Sequence, residues 1–315
     1  MHKFAFVFPG QGAQAVGMAS DFYENMPAAK LLIDQASDIV PNLKSVMFDG
    51  PEETLRLTQY TQPAILVASL AALLSFQSRM TLNPNIVAGH SLGEFSALVA
   101  AEALDMDTAI KLVYRRGELM GQAPAGKMAA IIGLPQLELE ALVKNSQSFG
   151  VLRIANYNTP EQFVVSGKAE AVEHLCQLAT EKIGPRRVVM LPVGGAFHSE
   201  LMDVPNSQFL PDTLSATFST PICPVVTNVD GQLTSDAFEL RQKVSEQMVS
   251  SVQWVQSMHN MIDAGVTTVI EFGPGRVLTG LFKKVNPDLK LLNVNDMASL
   301  EATCETLAGL LATSL

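Results

Sequence analysis

Short apolar runs alternate along the chain with longer stretches in which apolar residues recur every three or four positions, the alternation of a parallel α/β fold. Phe4 to Phe8, Ile86 to Ala88, Pro224 to Asn228, Thr267 to Phe272 and Leu289 to Val294 read as strands. Helical patterning dominates from the first of these to Phe76, with an interruption at Pro41 and a turn at Gly50-Pro51. It returns over Leu92 to Leu104, over Met106 to Gln122, up to about Leu214, from Ala237 to about Trp254 and from Ser299 to Leu311. Ala64 to Phe76 is apolar on every side and reads as a buried helix packed beneath the Ile86 strand.

The pattern shifts at Pro124-Ala125-Gly126. Met128 to Leu134, Val151 to Ala155, Gln162 to Ser166 and Arg187 to Leu191 read as strands, with helices over Gln136 to Asn145 and Ala169 to Ile183. This β-α-β-β-α-β order is that of a ferredoxin-like unit. A chain of 315 residues exceeds what one compact core usually carries. The expected architecture is therefore α/β: a large, α/β-hydrolase-like domain with a short parallel sheet flanked by helices (1–124 and 194–315), interrupted by a small ferredoxin-like domain (125–193).

Composition narrows the function. With 48% hydrophobic and 17% charged residues the chain can bury a substantial core, and its net charge of -10 argues against nucleic-acid binding. Met1 to Pro9 has too short an apolar run for a signal peptide, and Ala64 to Phe76 falls short of a membrane span, so a cytoplasmic protein without a membrane partner is expected. Cys176, Cys223 and Cys304 lie far apart without metal-ligand spacing, so neither a disulfide framework nor a metal site is expected.

The candidate chemistry centres on Ile86 to Glu94, I-V-A-G-H-S-L-G-E. Ser91 falls at a strand-to-helix turn between Gly89 and Gly93, the pattern of a nucleophile elbow, where a hydroxyl stands exposed at the head of a helix. Alone, the same pattern also fits a serine that merely caps a helix. The Gly-rich loop Pro9 to Gln14 invites a dinucleotide reading, but its third glycine is Gly17, not three after Gly12, and no acidic residue closes a second strand. It reads instead as a loop whose N–H groups, with Gln11, face a ligand.

A serine nucleophile needs a base, and the chain has five histidines. His2 precedes the first strand, His90 should point away from Ser91 within the elbow, His174 lies on the small-domain helix, and His259 sits in an ordinary helical context. His198 remains, in a Gly-Gly-Ala-Phe loop where the chain returns to the large domain. An α/β-hydrolase places its acid between serine and histidine, and here the intervening segment looks like a separate domain. A backbone carbonyl could then orient the imidazole in place of an acid. The pair Arg115-Arg116 could be a solvated helix face or a ligand site.

These residues resemble the malonyl-CoA:acyl-carrier-protein transacylases of bacterial fatty-acid synthesis and the related acyltransferase domains of polyketide synthases. The resemblance rests on F-V-F-P-G-Q-G-A-Q (Phe6 to Gln14), G-H-S-L-G-E (Gly89 to Glu94), R-R-G (Arg115 to Gly117) and M-A-A-I-I-G (Met128 to Gly133). It continues through N-Y-N-T-P-E-Q-F-V-V-S-G (Asn156 to Gly167), A-F-H-S (Ala196 to Ser199), Q-M-x-x-x-V-x-W (Gln247 to Trp254) and E-F-G-P-G-R-V-L (Glu271 to Leu278). It implies Ser91 as acylated nucleophile, His198 as base, and Gln247 as the residue whose main-chain carbonyl holds that base. The N–H groups of Gln11 and Leu92 would form the oxyanion hole, and Arg116, not Arg115, would grip the malonyl carboxylate, as a guanidinium fork matches a carboxylate.

Two positions bear on this chain in particular. Ser250-Ser251 stand where the family often has Asn-Pro, and Phe197 before His198 matches malonyl-selective polyketide acyltransferases, where it would crowd a branched acyl group. The resemblance further implies malonyl-CoA and an acidic acyl carrier protein as partners, no bound cofactor, and a monomer. The carrier would dock on Lys182, Arg186 and Arg187 or on Arg276, Lys283 and Lys284. A serine hydrolase and a non-catalytic acyl-binding or carrier-docking module are the rival readings.

Overall fold

In a computed structural model, which describes residues 2–312, the chain is a mixed α/β protein built around two sheets. The strands are β1 (Phe4–Phe8), β2 (Ile86–Gly89), β3 (Lys127–Ile132), β4 (Leu152–Thr159), β5 (Gln162–Gly167), β6 (Val188–Met190), β7 (Val225–Val226), β8 (Leu233–Thr234), β9 (Thr268–Phe272) and β10 (Lys290–Val294). The larger sheet has the order β10-β9-β1-β2-β7-β8 and is parallel except for β8, a short strand that the sequence pattern did not announce. β1, β2 and β9 are buried at every position, as expected of parallel strands covered by helices on both faces. The second sheet is antiparallel, with the order β4-β5-β3-β6. The helices Gln136–Ser146 and Ala169–Ile183 belong to the same segment. Where the chain passes between the sheets its outgoing and returning strands lie side by side, through an antiparallel bridge of Ala125 with Gly195.

The buried helix runs Thr58–Gln77, longer than the apolar run alone suggests. Its 20 residues are long and apolar enough to cross a membrane, but the helix is mostly buried inside the protein. It does not lie chiefly beneath β2. It packs on the helices Pro27–Ile39 and Met106–Gly121, and its Phe76 meets Phe6 of β1 and Phe272 of β9 edge-on. The aromatic side chains of β1 and β9 offer the larger apolar surface, and burial follows area.

A second departure concerns Ala237 to Trp254, which the periodicity presents as one helix. The chain instead forms a helix over Ala237–Glu246, a single 3-10 turn over Gln247–Val249, an extended strip, and a new helix over Trp254–Asp263. Ser250 is extended, at φ -101 and ψ 151. The strip is held from outside: the Val252 N–H donates to Ala155 O at 2.8 Å and the Tyr157 N–H to Val252 O at 2.9 Å, so it runs along the free edge of β4. Tertiary hydrogen bonds here outweigh local helix preference.

Candidate active site

Ser91 follows β2 directly and precedes the helix Gly93–Ala100. Its φ is 50, a left-handed conformation unfavourable for a residue with a Cβ, and such strain tends to be kept where function needs it. The turn is fixed by what surrounds it. A Cβ on Gly93 would stand 2.1 Å from Phe8 O, so β1 and the helix can meet only over a glycine. Asn228, beyond β7, accepts from the Ser91 N–H at 2.6 Å and donates through Nδ2 to Gly89 O at 2.6 Å, bracing the turn from both sides.

His198 is 3% exposed and brings Nε2 to 2.7 Å from Ser91 Oγ. Its Nδ1 lies 3.0 Å from Gln247 O and 2.9 Å from Ser250 O. Carbonyls only accept, so Nδ1 carries the hydrogen, and Nε2 is left with the lone pair that receives the Ser91 hydroxyl proton. The Ser250-Ser251 departure thus leaves a carbonyl on the imidazole. Burial first, then the charge of Arg116, push the His198 pKa down to about 3, so the ring is neutral and able to accept a proton.

Arg116 lies on the helix Met106–Gly121 and is 1% exposed. It donates through Nη1 to Gln62 Oε1 at 2.7 Å and through Nη2 to Gln247 Oε1 at 3.0 Å, with Ser91 Oγ 3.3 Å from the same nitrogen. Burial lowers its pKa to about 10, against the pull of Glu94, and it stays a cation at neutral pH. Arg115, one residue round the helix, points to the surface and pairs with Glu118 and Asp212 at 3.6 Å each. Arg116 thus turns inward and Arg115 outward.

A cavity of about 290 Å³ opens over Ser91 between the two sheets, with Gln11, Leu92, Arg116 and Phe197 in its wall beside Ser91 and His198. Among the described residues the N–H groups of Gln11 and Leu92 donate to no other group of the chain. They are free for an oxygen bound in the cavity. His90 also lines the cavity, but it turns to the small sheet, where its Nε2 lies 2.9 Å from Asn158 Oδ1.

Sequence reasoning missed the residues that hold these in place: Gln62, Asn158, Asn228, the Ser250 carbonyl and the side chain of Gln247. Glu94 closes the G-H-S-L-G-E motif, which by itself assigns it no role. The sequence around them offered little signal: Gln62 follows Thr58, Gln59 and Thr61 in the polar first turns of its helix, and Glu94 shares its short helix with Ser96. The partners themselves come from distant segments.

Comparison with known proteins places the chain. The acyl transferase domain family matches residues 5–303, and the chain belongs to that family of enzymes. Its relatives within it are, in particular, malonyl CoA-acyl carrier protein transacylases: that of Bacillus subtilis (strain 168) is 43% identical over 313 residues, covering 98% of each chain. Among solved structures, an acyl carrier protein S-malonyltransferase from Vibrio cholerae is 39% identical, with a TM-score of 0.90 over 96% of this chain and 99% of that one. A malonyl-transacylase in complex with its type II polyketide synthase acyl-carrier protein is 37% identical, with a TM-score of 0.92 over 96% of this chain and 99% of that one.

Proposed function

We propose that this protein transfers the malonyl group from malonyl-CoA to the phosphopantetheine thiol of an acyl carrier protein through a malonyl ester on Ser91. The observation that carries this reading is the convergence of Ser91 Oγ with the Nε2 lone pair of His198 at 2.7 Å and with the Arg116 guanidinium at 3.3 Å. His198 takes the hydroxyl proton as Oγ bonds to the thioester carbonyl carbon. The oxyanion is received by the N–H groups of Gln11 and Leu92. Collapse breaks the carbon–sulfur bond, and the leaving thiolate of coenzyme A takes the proton from His198. The carrier thiol then runs the sequence in reverse, so one thioester exchange becomes two steps at one site.

Arg116 pairs with the malonyl carboxylate, and Phe197 limits branching at the α-carbon. No cofactor or metal takes part. The reading extends to fatty-acid synthesis in the cytoplasm by a monomer. It also takes residues 125–193 as an inserted ferredoxin-like domain on a hydrolase-like large domain (1–124 and 194–315), supported by the strand order β4-β5-β3-β6 and the paired connections at Ala125 and Gly195. Mass spectrometry after mixing with malonyl-CoA tests the central claim: a single malonyl adduct on Ser91, absent from Ser91→Ala, and discharged by carrier thiol faster than by water. An adduct that persists in Ser91→Ala would refute the nucleophile, and discharge to water alone would favour a hydrolase.

A further inference from the structure

Glu94 has no part in the chemistry just given, yet it is 0% exposed and lies next to that chemistry on the helix Gly93–Ala100. A dehydrated carboxylate is costly unless its surroundings answer it. Its Oε2 accepts from Gln247 Nε2 at 2.6 Å and from the Asn228 N–H at 3.3 Å, while Oε1 has no partner among the described residues. The far end of the Gln247 amide, Oε1, accepts from Arg116. A carboxylate only accepts and a guanidinium only donates, so an amide wedged between them has a single orientation. Arg116 is equally buried, and among the described residues no salt bridge includes it. Its charge is answered at one remove, through Gln247, by Glu94.

We propose that Glu94 is the internal counter-ion of Arg116 and the residue that limits how tightly this site holds an anionic acyl group. The inference rests on Arg116 as the partner of the acyl carboxylate. An incoming carboxylate and Glu94 draw on one buried cation, so each weakens the hold of the other. A bare Arg116 would hold the malonyl group more tightly and give it up more slowly. The balance is adjustable. Burial pushes the Glu94 carboxyl up to about 7, against its bonds to Gln247 and Asn228 and the charge of Arg116. The other acid acting on it, Asp230, is itself tied to Lys243 at 2.8 Å. Of the two imidazoles lining the cavity, His198 and His90, both are held below their ordinary range by burial and stay neutral as Glu94 titrates.

The test is direct binding of the malonate dianion, followed by calorimetry, to the wild-type protein and to Glu94→Gln at about pH 8. Removal of one buried charge near Arg116 should tighten malonate binding on the order of tenfold. In turnover, KM and kcat for malonyl-CoA should fall together in Glu94→Gln, with a smaller change for acetyl-CoA. Unchanged or weaker malonate binding in the folded variant overturns the proposal, as does absence of binding to both proteins. Should Glu94→Gln not fold, the wild type alone decides: malonate affinity should drop about tenfold as pH rises through about 7, and a flat profile overturns the idea. Tighter malonate binding in Glu94→Gln, with a wild-type protein that never transfers malonyl, would uphold the counter-ion while refuting the transferase reading.

Discussion

Gly89 and Gly93 face each other across the turn that carries Ser91, so closely that a Cβ on Gly89 would stand 1.9 Å from the carbonyl carbon of Gly93. The obstacle is backbone on both sides, and no side chain can move aside to relieve it. Gly89→Ala should therefore cost more than about 3 kcal/mol of stability and abolish Ser91 acylation together with it. Urea unfolding measures the first, and a loss under about 1 kcal/mol would show that the elbow yields more than its contacts suggest.

The pH dependence of acylation follows from the state of His198. A base must be neutral to act, and rate is lost as pH falls through its pKa. With that pKa held down to about 3 in the unliganded site, the second-order rate of acylation at limiting malonyl-CoA should stay level from about pH 8 to about pH 5, without the decline near 6.5 that an ordinary histidine would impose. Rapid-quench measurement of the acyl-enzyme across this range checks it, and a midpoint near 6.5 would contradict the neutral, buried base.

Arg116 lowers the basicity of His198, so a carboxylate that neutralises Arg116 should restore it. Malonyl-CoA would then be favoured over acetyl-CoA in kcat as well as in KM. Arg116→Ala should raise KM for malonyl-CoA by a factor on the order of 10² and remove most of the preference over acetyl-CoA. Arg115→Ala, at the surface, should leave both unchanged. The reverse pattern in steady-state kinetics would move the carboxylate site by one residue.

Of the two basic clusters expected to receive the carrier, one lies beside the cavity. The helix Val277–Val285 lends Leu278 and Leu281 to the cavity wall, and its Lys284 donates to Gln162 of that wall at 2.7 Å. Lys182, on the small-sheet side, is paired with Glu138 at 3.1 Å. Charge reversal at Arg276 and Lys283 should raise the carrier KM about tenfold at low salt and much less at high salt, whereas reversal at Lys182 and Arg186 should do little. Equal effects at both clusters, or none that responds to salt, would count against this surface.

How far the sequence could be read depended on whether the signal was local. Ser91 declared itself through the two glycines that its turn requires, and His198 through its place in the one loop left after the other histidines were accounted for. The strands β1 and β2 were legible because buried parallel strands are continuously apolar, and β9 because only Thr268 and Glu271 interrupt its apolar run. The break after Glu246 was not, because Val244, Met248 and Val252 keep a helical spacing while the forces that open the chain come from β4 and His198. Glu94, Gln62 and Asn228 were silent for the same reason: the groups they bond, Gln247, Arg116 and the Ser91 turn, come from segments distant in the chain.

The strip from Val249 to Gln253 is fastened along one side to β4 and on the other to Asn228, whose carbonyl accepts from the Gln253 N–H at 2.8 Å. Arg153 of β4 adds a clamp, donating to Val249 O at 2.9 Å and to Ser251 Oγ at 3.0 Å. Any chimera that imports residues 125–193 from a relative would thus replace the strand against which the strip bearing the Ser250 carbonyl is held, although no residue of β4 hydrogen-bonds to the imidazole. Exchanges meant to alter acyl-group choice would do better to carry the strip along with the graft, since a donor's β4 set against a host's strip would meet at mismatched anchor points.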